Sequence, residues 1–145
     1  MSVTYDPIVG TSPAWTEERP VVTSPEQGAV LLTGFGMSEA EVEECWMLIL
    51  NTRHRLIKPV MVSRGSIDHT FMSPRDVYRI ALTHNAAALV LGHNHPSGDP
   101  EPSRDDEKVT RRLAEAGELV GVDLLDHIVI GETAWVSLAR RGALG

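Results

Sequence analysis

Apolar and polar positions along the chain follow two rhythms, and the rhythm changes several times. Cys45-Trp46-Met47-Leu48-Ile49-Leu50 is continuously apolar over strand length. After the polar turn Asn51–Arg55, Leu56–Val62 reads as a returning strand, which predicts an antiparallel hairpin. Ala86–Leu91 is a second unbroken apolar run, the pattern of a strand covered on both faces. Helical spacing lies between these runs. Ser24-Pro25-Glu26-Gln27 combines a capping serine, a proline at the first helical position and a glutamine that can reach back, so a short helix should run to about Gly34-Phe35-Gly36. Ser38-Glu39-Ala40-Glu41 offers a second such start and a helical turn. Ser73-Pro74-Arg75-Asp76 opens a further helix with Val77, Ile80 and Ala81 inward. Ser103 caps a long helix whose inner stripe reads Val109, Leu113, Ala116 and Val120, and Gly121 stops it. Val122–Ile130 is a last long strand, and Gly131-Glu132-Thr133 turns the chain into Ala134–Ser137.

Alternating helices and strands define a mixed α/β class. Residues 1–22 carry Pro7, Gly10, Pro13 and Pro20 with no sustained period, and are expected to form an extended or partly disordered arm. Residues 23–145 then form one domain, long enough to bury a core. Cys45 is the single cysteine, so neither an internal disulfide nor a cysteine metal cluster can be built. It reads as a small core residue, and a reducing, cytoplasmic setting is expected. The first residues lack the basic and apolar regions of a secretory leader, and the apolar runs are too short to span a bilayer, so no membrane partner is expected. Net charge is −7, which opposes sequence-independent binding to phosphate backbones. Arg53, Arg55 and Lys58 read as a solvated hairpin rather than a basic patch.

The informative segment is His93-Asn94-His95-Pro96-Ser97-Gly98-Asp99-Pro100-Glu101-Pro102-Ser103-Arg104-Asp105-Asp106. Residues two apart on a strand point to the same side, so a strand reaching His95 would aim both imidazoles into one pocket. The prolines and glycine turn the chain back, and Asp106 falls in the first turn of the next helix. Two imidazoles and a carboxylate are a zinc-type donor set with a fourth position left for water. A plainer reading stands beside this one: Ser103-Arg104-Asp105-Asp106 is a capping box, in which Asp106 merely reaches back to the Ser103 amide. The combination favours the metal site, and amide dipoles at a helix start would keep the carboxylate ionised. His93-Asn94-His95 spells the name of a nuclease motif, but that motif spreads its letters over a much longer unit. Asp126 and His127 read as edge-strand polar residues ahead of a supporting pair for a zinc histidine. His54, His69 and His84 read as turn residues at the surface.

The segment resembles the JAMM signature of the JAB/MPN metallopeptidase superfamily: His-x-His, seven residues, Ser, two residues, Asp, matched by His93, His95, Ser103 and Asp106 without a gap. The wider frame resembles the RadC-like branch, through Thr23–Glu26, Leu50-Asn51-Thr52, Arg64-Gly65-Ser66, Pro74-Arg75-Asp76, His93–Asp99 and Leu124–Gly131. The resemblance covers roughly residues 23–142. It implies a curved mixed sheet flanked by helices. It implies one zinc per chain on His93, His95 and Asp106, with Ser103 stabilising the reacting oxygen. It also implies a glutamate beside the attacking water at the start of the first core strand, and counting back from Leu50-Asn51 puts that role on Glu43 rather than Glu44. Longer RadC-like proteins carry an N-terminal helical module related to helix-hairpin-helix DNA binders, for which residues 1–22 leave no room. Ser73-Pro74-Arg75-Asp76 stands where the family often has His-Pro-Arg-Glu.

The chemistry implied is metal-assisted hydrolysis of an amide, with Glu43 as proton carrier and a peptide or ubiquitin-like protein tail as a possible substrate. Two other classes stay open: a DNA-repair-associated or DNA-processing protein, and a non-catalytic MPN-type interaction module. Metal content separates the last from the first. DNA binding separates the second, and acidic residues Asp99, Glu101, Asp105 and Glu107 around the pocket argue for weak or indirect contact. In fluorescence anisotropy at physiological salt, plain duplex should bind no tighter than about micromolar. Submicromolar affinity would promote the DNA-processing reading.

Overall fold

A computed structural model describes residues 19–65 and 72–144. The expectations for residues 1–18, for His69 and for most of the Asp68–Ser73 loop lie outside the described residues. In chain order the elements are α1 (Pro25–Gly34), a 3-10 turn (Met37–Glu39), β1 (Glu44–Leu50), β2 (Leu56–Arg64), α2 (Pro74–Thr83), β3 (Ala88–Asn94), α3 (Arg104–Val120), β4 (Asp123–Ile130) and β5 (Trp135–Ser137). The strands form an open mixed sheet in the order β2-β1-β3-β4-β5. β3 and β4 run parallel with α3 as their crossover; the other neighbouring pairs are antiparallel.

Local chemistry sets the boundaries. Ser24 Oγ accepts the Gln27 amide at 3.2 Å, and the Gln27 side chain accepts from Thr23 N at 2.7 Å, so the serine-proline start of α1 is capped as its residues suggest. Ser73 Oγ does the same for Asp76 N at the start of α2. Asn51 Oδ1 gathers the amides of Arg53 and Arg55 and closes the β1–β2 turn, with His54 in the left-handed region at φ 59°. Just before α1, Val21 bridges Arg55, Leu56 N donates to the Pro20 carbonyl and Val22 N to the His54 carbonyl. Residues 20–22 thus run extended along the start of β2, and the Val22 side chain is buried.

Both faces of the central strands are covered, which accounts for the unbroken apolar runs. Leu48, Leu50, Val90, Ile128 and Ile130 pack under α1 with Ala29 and Leu32. Cys45, Met47, Ile49, Leu89 and Leu91 pack under α2 and α3 with Val77, Tyr78, Ala81 and Leu113. Cys45 is therefore a core residue. No helix among the described residues is long and apolar enough to cross a membrane.

The inner face of α3 differs from the stripe expected. Asp106, Thr110, Leu113 and Gly117 are its buried residues, Val109 and Ala116 lie at the margin, and Val120 is 44% exposed. The reason is close approach. A Cβ on Gly117 would sit 2.4 Å from the Val122 carbonyl oxygen and 2.5 Å from the Tyr78 hydroxyl. Tyr78 donates to the Leu113 carbonyl at 2.5 Å, and burial pushes its phenol up to about 12. Gly117→Ala should cost about 3 kcal/mol or more in a denaturant melt, since backbone and a buried ring must both yield. Gly34→Ala, with nothing within 4 Å of its new methyl, should be neutral or stabilising. Equal stabilities for the two variants would refute the packing account.

Candidate metal centre

Strand register assembles the site. Cys45 lies opposite His93 across β1–β3, and Leu91 lies opposite His127 across β3–β4, so His93 and His127 share the sheet face that carries Leu91 and Cys45, beneath α3. His95 lies just past β3, yet its amide donates to the Ile130 carbonyl at 2.9 Å. The loop that follows docks on the β4–β5 turn. Glu132 N donates to the Gly98 carbonyl, and a Cβ on Gly131 would lie 2.4 Å from that same oxygen. The returning chain delivers Ser103 as the cap of α3 and Asp106 into its first turn.

His93 Nε2 and His95 Nε2 are 3.0 Å apart. Asp106 Oδ1 lies 3.5 Å from the first and Oδ2 lies 3.3 Å from the second. The three side chains could hold a metal ion, with their donor atoms all within 4.8 Å of one another. Asp106 also forms the full capping box: its Oδ2 accepts the Ser103 amide at 2.8 Å while its own amide donates to Ser103 Oγ at 3.0 Å. The two readings of this carboxylate coexist, because one oxygen lone pair serves the helix and others face the histidines.

Glu43 and Glu44 turn to opposite sides. Glu43 Oε1 is 3.9 Å from His93 Nε2. Glu44 accepts from Trp46 Nε1 and Arg64 Nε, away from the cluster. The Glu43 backbone is held from three directions. Gly65 N donates to its carbonyl at 2.7 Å, Asn94 Oδ1 accepts the next amide at 2.6 Å, and Asn94 Nδ2 donates to the preceding carbonyl at 3.0 Å. Ser103 is exposed, and its hydroxyl proton is not used by the cap.

The donor set fits a cation. His95 Nδ1 lies 2.9 Å from the Asp99 carbonyl, which only accepts, so the neutral ring donates there and turns a lone pair on Nε2 inward. That lone pair meets a second imidazole nitrogen and a carboxylate, a crowd of acceptors that demands positive charge. The Asp106 bond, opposed by burial and helped by the Asp99 carbonyl, raises the pKa of His95. Burial alone would raise Asp106, but the His93 and His95 bonds and the Ser103 amide outweigh it and hold the carboxyl far below the usual range.

His127 corrects the edge-strand reading. β4 lies between β3 and β5, and His127 is fully buried with Nε2 at 2.7 Å from His93 Nδ1. Burial, reinforced by His93, pushes its pKa well down. Asp126 is buried too, accepting from His127 N, Ala139 N and Ser137 Oγ. His54 and His84 sit half-buried in turns. Two residues went unnoticed in the sequence. They are Asn94, whose side chain holds the backbone on both sides of Glu43, and Thr110, which joins the Asp106 carbonyl to His127. The spacing of Thr110 one turn after Asp106 was the available signal.

An open mixed sheet with a His-x-His strand end and an aspartate one loop away defines a JAB/MPN-type domain. A profile described as RadC-like JAB domain matches residues 22–143, and the chain belongs to that family. It is 45% identical over 128 residues to the UPF0758 protein YsxA of Bacillus subtilis, covering 88% of this chain and 55% of that protein. A UPF0758 protein of Desulforudis audaxviator is 44% identical over 126 residues, with 87% and 54% covered. One from Alcanivorax borkumensis is 54% identical over 104 residues, with 72% and 46% covered. The chain spans about half the length of the curated relatives it matches.

A divalent cation and a proton should compete for His95. Because its pKa is raised, the proton persists to higher pH, so cation affinity should weaken as pH falls through that raised value and level off above it. Calorimetry in buffers of different ionisation enthalpy should show proton release on binding. Pure pH-independence down to pH ~5 would remove His95 from the candidate ligands.

Proposed function

We propose that this chain is a zinc-dependent hydrolase of the JAMM type that cleaves a peptide or isopeptide bond. The observation that carries the reading is the non-ligand carboxylate of Glu43, 3.9 Å from a nitrogen of the three-residue cluster. His93, His95 and Asp106 would hold the ion, one per chain. Bound zinc supplies a Lewis acid that lowers the pKa of water towards ~7 and polarises a carbonyl.

The remaining work falls to the chain itself. Glu43 accepts the proton of the attacking water and passes it to the leaving amine, a transfer its fixed backbone suits. Ser103 keeps a hydroxyl proton to donate to the oxygen on which negative charge develops. A polar cleft of about 600 Å³ beside His95, bordered by Ser38, Glu39, Glu41 and Glu132, gives room for a polypeptide or the tail of a ubiquitin-like protein. Such a partner, and a cytoplasmic site of action, belong to this proposal.

Wild-type protein should take up about one zinc per chain. Glu43→Gln should keep that zinc and the fold, and should lower hydrolysis of an isopeptide or peptide panel by about 10²–10⁴-fold. Glu44→Gln should stay near wild type. Full turnover in Glu43→Gln would remove Glu43 from the proposed role, and a wild-type chain that binds no zinc would overturn the reading altogether.

A further inference from the structure

His93 can offer a lone pair from Nε2 only if its proton sits on Nδ1, and a chain of contacts behind the site decides where that proton sits. The chain begins at a group that cannot reverse its role. The backbone carbonyl of Asp106 only accepts, and Thr110 Oγ1 lies 2.7 Å from it, so the single hydroxyl proton of Thr110 is used there. Thr110 Oγ1 is also 2.5 Å from His127 Nδ1. With its proton committed, the hydroxyl oxygen accepts, and His127 carries its hydrogen on Nδ1. A neutral imidazole has one N–H, so His127 Nε2 is an acceptor. His93 Nδ1, 2.7 Å away, therefore donates to it. The lone pair left on His93 Nε2 points at His95 and Asp106.

The step through His127 requires a neutral ring, and its surroundings favour one. The ring is fully buried, with a hydroxyl against one nitrogen and an imidazole against the other rather than a carboxylate. We propose that Thr110 and His127 are positioning residues that lock His93 in the Nδ1–H tautomer, with the polarity of the lock set by a helix carbonyl. This rests on the metal-site reading above, and it adds a second connection to it. His93 and Asp106 face each other across the cluster and are joined again behind it, because the carbonyl at the head of the chain belongs to Asp106 itself.

The test reads the tautomer directly. Two-bond proton–nitrogen correlation spectra of histidine-labelled, metal-free protein at mildly alkaline pH report which nitrogen of His93 carries hydrogen. Zinc affinity by chelator competition is the second readout, and thermal unfolding without metal checks the fold. Wild type should show Nδ1–H on His93. Thr110→Val, isosteric but without the hydroxyl, should lose that preference and weaken zinc about 10–100-fold. Thr110→Ser, which restores the hydroxyl, should recover both. His127→Gln offers an amide oxygen to His93 Nδ1 and should retain the tautomer, which keeps the test open if Thr110→Val does not fold. An Nε2–H tautomer in wild type would overturn the lock even if zinc binds. So would unchanged tautomer and affinity in a folded Thr110→Val. Nδ1–H in a wild-type chain that takes up no zinc would uphold the lock and sink the metal reading instead.

Discussion

The carboxylate of Asp106 ties the start of a helix to the end of a strand. Its Oδ2 takes the Ser103 amide at 2.8 Å and stands 3.3 Å from His95, while Oδ1 stands 3.5 Å from His93. A cap fixes the side chain of its residue relative to the helix axis. Here that side chain is also one wall of the cluster, so the angle at which α3 leaves its loop sets the spacing of the candidate ligands. Gly117 lets the far end of the same helix settle against Tyr78 and the Val122 carbonyl, which fixes the other end of the lever. Precision at the site is thereby bought with helix packing many residues away.

Much of this was legible from residue order. The continuous apolar runs of β1 and β3 announce strands covered on both faces, and the capping serines at 24, 73 and 103 mark helix starts that the structure retains. The His-x-His spacing and the aspartate after the loop carry the cluster in plain sight, because strand parity and a first-turn position are local properties. What was not legible depends on neighbours in space. Val120 fits a helical stripe by spacing but lies past the contact, and Thr110 and Gly117 break the apolar pattern while occupying the true inner face. His127 reads as an edge polar residue because nothing in its own segment reveals that β5 pairs along the far side of β4. Choosing between Glu43 and Glu44 needed a family count, since both faces of β1 are apolar; in the fold, Glu43 shares the face of Cys45, opposite His93.

The electrostatic design follows from burying acceptors together. An anionic carboxylate and two imidazole nitrogens have been drawn within a few ångströms in a site where His93 is wholly shielded and Asp106 nearly so. Such a grouping is unfavourable without positive charge, and the fold enforces it through contacts that lie outside the cluster: the Asp99 carbonyl on His95, the Ser103 amide on Asp106 and His127 on His93. Each of these fixes the orientation of one member of the cluster. A cation held there would add to the contacts that already join the three side chains.

Asn94 is the last residue of β3, between the two histidines in sequence, with its own side chain spent on the backbone to either side of Glu43. The peptide that carries the glutamate is therefore stitched to the strand that carries the imidazoles. In genetic terms the two positions should not vary independently. A chain that loses the asparagine would keep Glu43 but leave its backbone tied to Gly65 alone, so if Glu43 has the role proposed for it, later changes there would have less left to damage. Such masking, in which one substitution silences the effect of another, would tie Asn94 to Glu43 through the position it fixes rather than through any reaction it performs.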